Sequence, residues 1–179
     1  VDIAGYKAEF MSKHYASRRR PLGQQLLGRL GSVLPILSRF SALVNPLQAS
    51  PVGILVKKLS GFSNDVSLPA LATQSFRSWA KTHCTATDTH FLWFGDAAAK
   101  PVYLWSDSFN THYRPHVLQS AIRVLNSAGF KVGVTKQAFC CGRPLYEQGM
   151  LGEARAQLDQ ILVHFYPALE SASQVVVLE

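Results

Sequence analysis

Cysteine is scarce in this chain, and the scarcity excludes a good deal. Only Cys84, Cys140 and Cys141 occur in 179 residues. An odd, small number argues against the disulfide framework of a secreted domain and for a reducing cytoplasm. No Cys-x-x-Cys is present, so the chain by itself cannot build a four-thiolate site. A nucleophile elbow, a phosphate-cradling glycine loop and a metalloprotease helix are missing too. An apolar leader is missing from the start, where Asp2, Lys7 and Glu9 stand. Long apolar runs are few. The longest uncharged stretch is Phe40 to Val56, 17 residues, and Asn45, Pro46, Gln48 and Pro51 make it a poor membrane span.

Acidic residues are in short supply as well, 11 against 18 Lys and Arg, giving a formal charge of +7. That balance calls for an anionic neighbour: nucleic acid, an anionic membrane surface or an acidic partner domain. The basic residues concentrate early, from Lys7 and Lys13 through Arg18, Arg19, Arg20, Arg29 and Arg39 to Lys57 and Lys58. Aromatic residues do not interleave with them as a base-stacking platform requires, so no nucleic acid is expected. With 47% hydrophobic and 16% charged residues the chain is globular, long enough for one core with a helical extension. It shows no internal repeat or low-complexity tract.

Residues 1–80 read as a helical segment. Asp2 caps a first helix with Ile3, Tyr6, Phe10 and His14 at helical spacing, closed by Arg18-Arg19-Arg20-Pro21 as a solvated end or, alternatively, as a contact for anionic lipid headgroups ahead of the apolar helix that follows. Leu22–Val44 is a second apolar helix, kinked or split at Pro35. Asn45–Pro51 reads as a loop, Val52–Leu59 as a short helix, Leu68–Thr73 as a tether and Ser75–Lys81 as another short helix. Residues 81–100 read as a linker loop around the apolar patch Phe91-Leu92-Trp93-Phe94.

The period then changes. Val102–Trp105 and Phe130–Val134 predict buried strands, with Gln174–Leu178 as a third. His116–Ala128, stopped by Gly129, and Leu151–Phe165, ended near Pro167, predict helices between them. Strand, helix, strand, helix, strand implies an α/β fold: a helical arm followed by a small parallel, three-layer, Rossmann-like half sheet. Ligands bind beyond the carboxyl ends of such strands. Asp107–Tyr113 and Phe139–Pro144 follow the first two strands and are expected to share one rim. Val1 is not methionine and the chain stops at the apolar Val175–Leu178 run, so a piece of a longer protein is expected.

The chemistry centres on Cys140-Cys141-Gly142-Arg143-Pro144. Neighbouring thiols do not readily bond to each other. As thiolates they bind iron–sulfur clusters or zinc, and Gly142 would let the backbone turn tightly around such a site. Buried, inert cysteines are the plain alternative. Cys84 reads as incidental. His112 and His116 flank Tyr113-Arg114-Pro115 and could serve acid–base or metal chemistry, or simply cap a helix. Asp107 is either a base or a cap. His14, His83, His90 and His164 read as structural.

These residues carry a resemblance. Asp107-Ser108-Phe109, a helix, a strand and then Cys140-Cys141-Gly142-Arg143-Pro144-Leu145-Tyr146-Glu147-Gln148-Gly149 resemble the cysteine-rich CCG domain. That domain is found in iron–sulfur subunits of glycolate oxidase, anaerobic glycerol-3-phosphate dehydrogenase and heterodisulfide reductase. The likeness is strongest to large FAD-linked oxidases with a C-terminal iron–sulfur region, similar to D-2-hydroxyglutarate or D-lactate dehydrogenases. Val1–Phe10 looks like the helix after a ferredoxin-like Cys-Pro motif. The resemblance implies a CCG-type domain over 101–179, cut at its C-terminus, with Cys140 and Cys141 as metal ligands. Gly142 would supply the turn at the cofactor, and Ser108 would stand where the family has its first cysteine. It implies FAD and an iron–sulfur cluster in the parent protein, neither held by this piece alone. It also implies partnership with the flavin and ferredoxin-like domains of the same chain, and a quinone or a membrane surface on the acceptor side. The location implied is cytoplasmic, at the inner face of the membrane. Catalytic residues are expected elsewhere in the parent, leaving this segment inactive on its own. A non-catalytic docking module and a zinc-stabilised structural domain are the rival readings.

Overall fold

The structure is a computed structural model that describes residues 2–63, 65, 67–170 and 174–178. Ten helices and five strands follow one another along those residues. Helices α1 (Ile3–His14), α2 (Leu22–Gly28), α3 (Leu30–Arg39), α4 (Ser41–Gln48), α5 (Pro51–Ser60) and α6 (Phe76–His83) come first. Strands β1 (Ala86–Thr87), β2 (Phe91–Phe94) and β3 (Lys100–Leu104) lead to α7 (Ser108–His112) and α8 (Pro115–Ser127). Then come β4 (Phe130–Thr135), α9 (Arg143–Glu147), α10 (Leu151–Glu170) and β5 (Gln174–Val176). The chain forms two compact units: Val1–Leu71 with Cys140–Asp159, and Ala72–Phe139 with Gln160–Glu179.

The second unit holds a five-stranded mixed sheet in the order β1-β2-β4-β3-β5. β3 pairs parallel with both β4 and β5. β2 pairs antiparallel with β4, and β1 with β2. Side chains alternate across the sheet as the pleat dictates. Leu92, Phe94, Val102, Leu104, Val132 and Val134 face one way, against Phe76 and Ala80 of α6 and Leu118 and Ile122 of α8. Phe91 and Tyr103 face the other way, against Phe165 and Ala168 of α10. The unit is therefore a sheet covered on both faces. Trp93 lies over its register partner Gly133, where a Cβ would fall 2.8 Å from the indole.

In the first unit Asp2 caps α1 as expected, its carboxylate accepting from the Gly5 amide at 2.9 Å. Four expectations need correction. Residues 81–100 are not a plain loop, because they carry β1 and β2. Asn45–Pro51 is not a loop either, since α4 runs through Asn45 and Pro46. The long apolar helix divides at Arg29 and Phe40 and continues through Pro35, which removes one backbone bond without ending α3. The arginine run is only partly solvated. Arg18 and Arg19 are exposed, but Arg20 stacks on Tyr15 at 4.4 Å and donates to the Gln148 carbonyl.

The compact units also fall differently from the expected segments at 1–80 and 101–179. Helix α6 packs with the sheet, and residues 140–159 pack with the N-terminal helices. Leu145, Met150 and Ala154 form a small core of their own there, and Met150 closes on Gly28 of α2. Arg29 and Glu153 pair at 2.8 Å across the same unit. Helix α10 continues to Glu170, beyond the stop expected near Pro167.

Candidate metal centre

After β4 the chain enters the first unit at Cys140. Cys140 is half-buried and its stem is fixed from two sides. A Cβ added to Gly31 of α3 would fall 2.4 Å from the Cys140 Cβ, so only glycine allows this approach. Gln157 of α10 donates to the Cys140 carbonyl at 2.9 Å. Cys141 is exposed. Gly142 follows with φ of +79°, a left-handed conformation that other residues rarely adopt, and it caps α9. The Tyr146 amide donates to the Gly142 carbonyl at 3.0 Å. Two sulfurs thus stand next to each other on a sharp, buried turn, with one side chain open to solvent.

Beside them lies a cleft of about 370 Å³ lined by Asp2, Cys141, Arg143, Tyr146, Ala154 and Leu158. Burial pushes the Cys141 thiol above its ordinary pKa, and the adjoining Cys140 sulfur pushes the same way. A hydrogen bond from the Arg143 backbone opposes both. The Cys141 thiol therefore holds its proton more firmly than a free cysteine, and a soft cation would bind there by displacing it. Arg143 is held by Glu147 at 2.7 Å, one helical turn on.

The donor set can be tested against the implied metal group. Two accessible thiols fit half of a four-thiolate site. Among the described residues no third His, Cys, Asp or Glu joins them as a cluster. Ser108 belongs to the other unit, where it opens α7. The structure thus groups Cys140, Cys141 and Gly142 in one unit and leaves Ser108 in the second. Of the two segments expected to share a rim, Asp107–Tyr113 and Phe139 fall in the second unit and Cys140–Pro144 in the first.

The remaining candidates take structural parts. Asp107 caps α7, accepting from the Asn110 amide at 2.9 Å and the Asn110 side chain at 2.7 Å. His83 stacks on Trp79 at 4.7 Å, and His14 on Phe10 at 5.6 Å. His90 and His164 meet edge to face at 5.3 Å. His116 is exposed on α8. Cys84 ends α6, its sulfur 3.7 Å from the Lys81 carbonyl.

One feature escaped the sequence. Arg77 of α6 sends its guanidinium to the end of β4 and donates to the carbonyls of Thr135 at 2.9 Å, Lys136 at 2.6 Å and Gln137. Burial lowers its pKa to about 10. His112, buried in the same unit, has its pKa lowered to about 4, by burial first and by the Arg77 charge second. A basic residue between Phe76 and Trp79 was the available signal.

His112 gives the second unit an acid sensitivity whose sign is fixed. It stays neutral in the fold down to about pH 4, whereas an unfolded histidine takes up a proton near pH 6.5. Below pH 6.5 the unfolded chain binds the extra proton, so stability falls as pH drops from about 6.5 to about 4. The limiting slope for one proton is about 1.4 kcal/mol per pH unit. Urea midpoints at pH 7 and pH 5 should therefore differ, and His112→Gln should flatten the difference. An unchanged difference in that variant would assign the effect to other groups.

Comparison of the chain with protein-family models, with curated proteins and with solved structures finds no match.

Proposed function

We propose that this chain is part of the iron–sulfur electron-transfer region of an FAD-dependent 2-hydroxyacid dehydrogenase. Cys140 and Cys141 would provide two thiolate ligands and Gly142 the turn that presents them. The observation that carries the reading is the paired thiols on a left-handed glycine turn, clamped by Gly31 and Gln157 and open on the Cys141 side. Inert cysteines have no use for such a clamp beside an open cleft. When bound, an iron–sulfur cluster supplies one-electron transfer between flavin and a quinone or another acceptor. The protein's contribution is to hold both sulfurs close together and give up their protons on ligation. Three parallel strands, β4-β3-β5, with helices on both faces support a Rossmann-like half of the CCG type. Ser108, at the position of the family's first cysteine, offers a hydroxyl where a soft metal prefers sulfur. The other ligands would come from outside these 179 residues.

The test is anaerobic purification of the gene-encoded chain that carries this segment, followed by assay of iron and acid-labile sulfide. Cys140→Ser and Cys141→Ser should each remove most of one cluster's iron while the fold, followed by circular dichroism, persists. Iron content unchanged in both variants would defeat the ligand role. Stoichiometric zinc without sulfide would favour a structural site instead.

A further inference from the structure

Helices α4 and α5 are turned inside out. α5 buries Gly53 and Ser60 and exposes its large aliphatic side chains, with Val52 54%, Leu55 55% and Leu59 73% exposed. α4 buries Ser41 while Leu43 is 70% exposed. On α3 and just beyond it, Ile36 and Phe40 are also more than half exposed. An apolar groove of about 190 Å³ runs between these helices. Burying small residues and exposing large ones inverts the ordinary sorting of a helix in water. Contiguous exposed apolar surface of this kind marks an interaction site.

Charge identifies the occupant. From Phe10 to Asn64 there are eight Lys and Arg and not one Asp or Glu. The rest of the chain carries ten basic and eleven acidic residues, so the whole positive excess lies in this stretch. An apolar face in a predominantly basic surround, with Asp65 beside Lys57 the acidic exception, is the pattern of helices that lie at a charged interface. Protein-binding patches differ: their centres gather aromatic residues, methionine and arginine and shed lysine. Here the exposed centre is Leu, Ile and Val with Phe40, and Lys57 and Lys58 close α5. No single helix among the described residues is long and apolar enough to cross a membrane. α3, α4 and α5 have 10, 8 and 10 residues, against about 20 needed to cross, and α3 and α4 diverge by 105°.

We propose that α3, α4 and α5 form a platform that beds on the surface of an anionic bilayer. Their aliphatic side chains enter the acyl boundary, and Arg39 and Lys58 meet the lipid phosphates. The proposal is independent of the metal reading, since neither cysteine takes part.

The experiment is sedimentation of the 179-residue chain with phosphatidylcholine vesicles carrying or lacking phosphatidylglycerol. Binding should require phosphatidylglycerol and weaken with added salt. Arg39→Glu with Lys58→Glu should weaken it by about tenfold or more. Leu55→Asp, at an exposed site and so without effect on the melting curve, should weaken it to a similar degree. Leu55→Trp should gain quenching by brominated lipid over the parent chain. No binding to phosphatidylglycerol vesicles, or equal binding by both charge and apolar variants, would overturn the proposal. So would failure of the longer gene-encoded chain to bind where the 179-residue chain does, because another part of that chain would then cover the platform.

Discussion

Gly149→Val should detach α1 from the unit that carries the cysteine pair. Gly149 closes the turn between α9 and α10 with φ of +69°. That conformation alone costs a non-glycine residue about 1–2 kcal/mol. The steric cost is larger. A Cβ at this position would sit 2.5 Å from the Ser12 amide nitrogen, 2.7 Å from the Met11 Cβ and 2.8 Å from the Ala8 carbonyl oxygen. Two of these three atoms are backbone, so no rotamer change relieves the contact. Either α1 moves away or the turn rebuilds, and Ala8, 1% exposed, loses its cover. A loss of about 3–5 kcal/mol is expected, in the range that marks backbone strain combined with overpacking. Hydrogen exchange should show residues 3–14 losing protection first, with Gly149→Ala falling between the parent and the valine variant. A Gly149→Ala protein with the parent's urea midpoint and unchanged exchange in α1 would show that the turn and the helix are not in contact in solution. The consequence reaches the candidate centre because Asp2, which caps α1, also lines the cleft beside Cys141.

The legible parts of this fold are those whose pattern repeats locally. β3 and β4 show as short apolar runs, and α8 shows Leu118 and Ile122 one turn apart after Pro115. The cap at Asp2 and the left-handed turn at Gly142 were legible from residue type alone. β2 was not. Phe91, Leu92, Trp93 and Phe94 are apolar throughout because both faces of this strand are covered, so the alternation that marks a half-buried strand is erased. The pairing of the cysteine turn with the N-terminal helices was hidden for another reason. It depends on Gly28, Gly31 and Gly149, each of which makes room for a neighbour remote in sequence. A glycine in a sequence shows that close approach is allowed, not what approaches. The inverted sorting of α5 was hidden in the same way, since Val52, Leu55 and Leu59 read as core until their exposure is known.

Arg77 marks the limit of sequence reading, and its replacement carries the other large expected effect. On an eight-residue helix it has the look of a solvent-facing cation. In the fold its guanidinium takes the place of a further strand segment, collecting the carbonyls that β4 leaves at Thr135, Lys136 and Gln137. The Thr135 hydroxyl lies 3.5 Å away. A planar fork with several fixed donors can serve diverging carbonyls at once, which an ammonium cannot. Hydrogen bonds from a charged donor contribute about 1.5–3 kcal/mol each, and desolvating the cation takes back several. Arg77→Met keeps much of the apolar stem but takes the guanidinium donors from the Thr135 and Lys136 carbonyls and leaves Gln137 only the Thr135 hydroxyl, for a net loss of about 3 kcal/mol in urea unfolding. Arg77→Lys should recover only part of it. A second readout separates this role from simple space filling. The Arg77 charge helps hold His112 neutral. In Arg77→Met, the His112 pKa should therefore rise towards its ordinary value, with the remaining depression due to burial. The acid-sensitive window between about pH 4 and 6.5 should narrow from its lower edge, and histidine proton shifts in a magnetic-resonance titration should show it directly. If Arg77→Met unfolds within half a kcal/mol of the parent and His112 titrates unchanged, the guanidinium neither secures the strand end nor sets the charge state of its neighbour.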